Sequence, residues 1–115
     1  MKKPLMNRDM ENTAVLPLPW FRTKSDFTRQ LSLEISSSHV LYGKEVRSIA
    51  KREDNDDVLF QVMNTAFEYA VVHLTWTSND HSSGVFPYTE LYTDWRELYE
   101  NRLLTDSLDY EQEED

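Results

Sequence analysis

The chain has no cysteine, only two glycines in 115 residues, and no apolar run long enough to cross a bilayer. Without cysteine there is no disulfide, no thiol nucleophile and no Cys-ligated zinc site. With Gly43 and Gly84 alone there is no Gly-x-Ser-x-Gly elbow, phosphate-cradling loop or dinucleotide fingerprint, each of which needs closely spaced glycines. The longest apolar stretches, near residues 67–76 and 14–21, fall well short of the roughly 20 residues that span a membrane. Lys2 and Lys3 are followed by Pro4, Arg8, Asp9 and Glu11, where an export signal needs an unbroken apolar segment. A cytoplasmic protein is expected. Basic residues are also scarce, 12 Lys and Arg against 21 Asp and Glu, for a net charge of −9. Residues 106–115 contain six of those acids and no base. Such a surface repels phosphate backbones, which disfavours direct nucleic-acid binding and favours a basic protein partner.

What is present is enough to fold. Three Trp, six Tyr and five Phe supply the bulk for one core in a chain of single-domain length. The reading divides the chain into an N-terminal arm (1–14), one α+β domain (15–104) and an acidic tail (105–115). Leu16, Leu18, Trp20 and Phe21 dock an extended segment, with Trp20 as its anchor. Phe27, Leu31 and Ile35 recur four residues apart and predict a helix over 25–37, ended by the Ser36-Ser37-Ser38 run and Gly43. Residues 46–52 mix β-branched and charged side chains, as an edge strand does. The run Glu53-Asp54-Asn55-Asp56 is turn chemistry. Val58, Phe60 and Val62 mark a second strand, closed by a turn at Asn64 and Thr65. Residues 67–77 form a third, with Ala70, Val72, Leu74 and Trp76 on one face and Phe67, Tyr69, Val71, His73 and Thr75 on the other. Both faces read as covered, which makes this strand central. Residues 77–84 read as a loop and 86–92 as a short fourth strand. Asp94 and Glu97 stand at capping-box spacing before Trp95, Leu98, Tyr99, Arg102 and Leu103, predicting a helix over 94–104. The expected fold is α+β: an antiparallel sheet of three to four strands with two helices on one face.

Chemistry is harder to find. The acids at 53–57 lack the central Gly and distal Glu of an EF-hand, and no two of His39, His73 and His81 stand at a zinc-ligand spacing. No metal, cofactor or catalytic residue is nominated. His73, in the strongest strand, reads mainly as a core or pocket residue, and His81 beside Asp80 as solvated. Aromatics interleaved with acids in the C-terminal half suit a surface where rings give contact area and carboxylates steer a cationic partner.

The segments 49–60, 69–76 and 86–92, with their DDVLF and YAVVHLTW runs, resemble a pattern found in short uncharacterised bacterial proteins. That resemblance implies a shared fold rather than a role. More loosely, in size, acidity and α+β make-up, the chain is similar to the immunity proteins of polymorphic-toxin and contact-dependent inhibition systems. The leading expectation is therefore a non-catalytic module that blocks a basic, nuclease-type toxin through Glu53, Asp54, Asp56, Asp57, Glu90, Tyr92, Glu97 and Glu100. On this reading, charge reversal at Asp54, Asp56 and Asp57 slows association more than it destabilises the fold. Two alternatives stand beside it. One is a small enzyme or ligand-binding protein with a pocket formed by His73, Thr75, Tyr69 and Arg52; the other is a self-assembling subunit that pairs along an open 46–52 edge. Monomer and homodimer both remain open.

Overall fold

The computed structural model describes residues 15–77 and 87–112. The 1–14 arm, His81, most of the 77–84 loop, the start of the 86–92 segment and residues 113–115 lie outside them. The described residues form five strands: β1 (Trp20–Arg22), β2 (Val46–Arg52), β3 (Asp57–Val62), β4 (Tyr69–His73) and β5 (Thr89–Tyr92). They make one antiparallel sheet in the order β1-β2-β3-β4-β5, one strand more than the upper expectation. The extra strand is the docked segment at Trp20, which pairs Trp20 with Arg52 and Arg22 with Ala50. Helix α1 (Thr28–Glu34) lies between β1 and β2. After β5 come α2 (Trp95–Leu98), a wide π turn (Tyr99–Leu103) and α3 (Leu104–Gln112). No helix among the described residues is long and apolar enough to cross a membrane.

The helices do not share one face of the sheet. Leu31 of α1 and Leu41 pack on Val58, Phe60, Val62, Ala70, Val72 and Leu74. Trp95, Leu98 and Leu103 pack on the opposite face, with Trp20, Ile49, Ala50, Leu59, Tyr69, Val71 and Tyr92. The reason lies in β3 and β4, whose alternating residues are apolar on both sides. A single helical layer leaves one of those faces in water, and each large aliphatic residue left out forfeits about 1.5–3 kcal/mol.

The expectation of an open edge at 46–52 is corrected in part, because β2 has β3 on one side and, at residues 50–52, β1 on the other. Pairing with a second copy along residues 50–52 is thereby closed off, while no strand among the described residues pairs with 46–48 on that side. Its mixed pattern has a local cause: the register with β3 slips between Ser48 and Ala50. This bulge turns Ile49 and Ala50, consecutive in sequence, into the same core cluster.

Helix boundaries differ as well. Helix α1 is only seven residues, ending at Glu34 before the serine run. The C-terminal helix begins as its cap requires, with Asp94 Oδ1 accepting from the Glu97 N–H at 2.9 Å and Glu97 Oε1 accepting from the Thr93 N–H at 2.9 Å. It then continues to Gln112, eight residues past the expected end and into the region read as tail. Trp20 is the expected anchor, fully buried with Leu16, whereas Leu18 and Phe21 are exposed.

Candidate functional site

At one end of the sheet, β3 starts where β4 stops, and Asp57 pairs directly with His73. Glu90 of β5 stands opposite Val71 on the same face. Above them the C-terminal helix widens, its Leu104 N–H bonding Tyr99 O one residue further back than α-helical geometry gives. The wider arc brings Arg102 and Leu103 to the sheet together, with Asp106 a turn beyond.

Arg102 joins three carboxylates. Its Nε donates to Asp106 Oδ2 at 2.8 Å, its Nη1 to Glu90 Oε1 at 2.8 Å and its Nη2 to Asp57 Oδ2. Burial works against its charge, but Asp106 and Asp57 outweigh that and hold the guanidinium protonated above its ordinary range. Asp106 Oδ2 also accepts from Trp20 Nε1 at 2.8 Å and lies 3.3 Å from Arg52 Nη1. Arg52 in turn forks onto Asp54, both bonds at 2.8 Å. Burial opposes the Arg52 charge too, yet Asp54, Asp106 and Asp57 raise its pKa. The same hydrogen bond from Arg52 holds Asp54 below the usual carboxylate range.

Asp57 Oδ1 accepts from His73 Nδ1 at 2.7 Å. With Nδ1 donating to the Asp57 carboxylate, Nε2 of a neutral imidazole is an acceptor. His73 remains 52% exposed, and Nε2 has no partner among the described residues. Asp57, Val71, His73, Tyr88, Glu90 and Arg102 line an open cleft of about 360 Å³. Tyr88 is 57% exposed. Tyr92, buried behind Glu90, has its hydroxyl 3.3 Å from Glu90 Oε2. Burial raises the Tyr92 pKa, with Arg102 pulling the other way.

The residues expected to meet a partner are therefore divided. Asp54, Asp57 and Glu90 are joined internally to Arg52 and Arg102. Asp56 accepts from the Trp76 indole at 2.9 Å, and Glu97 caps its own helix. Glu53 and Glu100 are exposed and without a side-chain partner among the described residues.

Of the expected pocket residues, only His73 lines the cleft. Tyr69 is core, edge-on to Trp95 at 5.6 Å. Arg52 lies behind Asp106. Thr75 donates from both N and Oγ1 to Glu34 Oε1 at 2.7 Å on the other face. Glu34 is itself fully buried, and its Oε2 accepts from the Trp76 N–H at 2.9 Å, steadying a Trp with φ of 61°.

Sequence pattern does not single out Arg102, Asp106 and Tyr88 for this site. Arg102 has a visible signal, since a cation inside the Trp95-Leu98-Tyr99-Leu103 stripe must meet counter-charges when that stripe is buried. Asp106 has none, because its neighbours in sequence read as tail. Among the described residues no three His, Asp or Glu side chains are grouped to hold a metal ion. No family model matches the chain, and neither does any curated protein or solved structure.

Proposed function

We propose that the protein is a non-catalytic binding module for a basic protein partner, and that it receives a cationic side chain of that partner in the His73 cleft. In its most concrete form the partner is a nuclease-type toxin, whose phosphate-holding site is necessarily cationic, and this protein is its immunity protein. One observation carries the reading. With the internal bonds drawn, the groups left to a ligand are His73 Nε2, the Tyr88 hydroxyl and the outer edge of Glu90, in a cleft holding two carboxylates against one guanidinium. An ammonium or guanidinium group satisfies that set, whereas an anion meets repulsion.

The contact is thereby moved from the 53–57 turn to the cleft. Reversing charge at Asp54 or Asp57 disrupts internal pairs and acts first on the fold, contrary to the expectation from sequence. Glu53 and Glu100, exposed and unpaired among the described residues, add to the field that accelerates encounter.

Calorimetric titration with a tetra-arginine peptide tests this. Binding weakens as salt rises, and Tyr88→Ala and His73→Phe each lower the affinity about tenfold while Glu53→Gln changes it little. Affinity that responds to Glu53→Gln but not to the cleft variants moves the contact back to the hairpin.

The Asp57–His73 contact favours a second reading, in which the same cleft holds a free small amine donating to the imidazole. Under that reading a simple diamine binds as tightly as the peptide.

A further inference from the structure

On the opposite face of the sheet, α1 and the 41–44 segment enclose an open groove of about 430 Å³. Its apolar floor is Leu31, Ile35, Leu41 and Val46, of which Leu31 and Leu41 are almost fully buried, with the half-exposed Tyr42 beside them. Arg29 and Lys44 also line it, with no carboxylate in the lining. Both cations are exposed, and neither makes an ion pair or side-chain hydrogen bond among the described residues. Lys24 and Arg96 are also exposed and unpaired among the described residues, but Arg29 and Lys44 line the same groove. By contrast, Arg52 and Arg102 are each neutralised by carboxylates.

We infer that this groove binds a small monocarboxylate bearing a hydrocarbon chain, its carboxylate held by Arg29 and Lys44 and its chain laid on Leu31, Ile35, Leu41 and Val46. Charge complementarity selects the anion, and the floor selects the apolar part. The groove's volume falls within the range of small-molecule sites.

The test is a titration of the full chain with butanoate, hexanoate and octanoate, followed by methyl NMR and calorimetry, with octylamine and acetate as controls. Affinity rises by up to about fourfold per added methylene, as burial of one CH₂ implies. The methyl signals of Leu31, Ile35, Leu41 and Val46 move, while those of Val71 beside the His73 cleft do not. The surface variant Arg29→Gln/Lys44→Gln lowers octanoate affinity about tenfold with an unchanged unfolding midpoint. The inference is overturned if octylamine binds as well as octanoate, if the double variant binds normally, or if octanoate moves none of the four floor residues.

Discussion

Replacing Arg102 with Met keeps much of the side chain's bulk and removes the one cation shared by Asp57, Glu90 and Asp106. The three contacts are unequal. Glu90 is 44% exposed, and a pair of that kind contributes at most about 1 kcal/mol. Asp57 and Asp106 are almost fully buried, so Arg102→Met leaves two desolvated carboxylates, offset by His73 at Asp57 and by Arg52 and the Trp20 indole N–H at Asp106. Breaking a buried pair from one side costs about 3–5 kcal/mol, and most of the expected loss comes from these two. That is a large fraction of the roughly 5–15 kcal/mol that separates folded from unfolded domains. Urea unfolding followed by tryptophan fluorescence and circular dichroism measures it directly. Because much of the loss reflects stranded charge, Asp57→Asn in the Arg102→Met background costs less than the two single losses added together. A single variant within about 0.5 kcal/mol of wild type, or singles that simply add, refutes the idea that this network is buried and coupled.

Three further perturbations follow from the same structure. His39 is buried, with Nδ1 accepting from the Leu41 N–H and Nε2 donating to Pro87 O, and burial lowers its pKa below the ordinary 6.5. The unfolded chain therefore takes up the proton first. The associated stability is complete above about pH 6.5 and declines as pH falls from there towards the folded pKa, so urea midpoints drop on acidification more steeply in wild type than in His39→Gln. Glu34→Gln places an amide among the Thr75 and Trp76 donors and costs about 1–3 kcal/mol in chemical denaturation, with a change in the emission of half-exposed Trp76. Gly43 has φ of +76°, and a Cβ added there would meet no other atom within 4 Å. Gly43→Ala therefore carries only the backbone penalty, about 1–2 kcal/mol by denaturant unfolding.

The parts of the fold legible in the sequence were those set by short-range periodicity. Alternation marked one apolar face of β3 and two covered faces of β4, and Asp94 with Glu97 marked the helix start. Length-dependent and partner-dependent features were hidden. The helix runs to Gln112 because Asp106 is neutralised by Arg52 and Arg102, 54 and 4 residues away; read alone, its acids look like a tail. The bulge at Ile49 disguised an interior strand as an edge, since it breaks alternation where β2 crosses the core. The candidate site was half visible. His73 could be named from its strand, but its partners Asp57, Glu90 and Arg102 converge only through the register and the wide helical turn. The same convergence explains why the acidic hairpin overstated the free negative charge: Asp54 and Asp57 are held by guanidinium groups that the local sequence does not place beside them.

The most direct test of the account is the nitrogen NMR spectrum of the His73 ring during titration with tetra-arginine peptide. If the cleft takes a cation, the Nε2 resonance moves as it accepts a new hydrogen bond, Nδ1 keeps the signature of its bond to Asp57, and Tyr88 responds in parallel. An unmoved His73 ring, with peptide-induced shifts confined to residues 53–56, contradicts it.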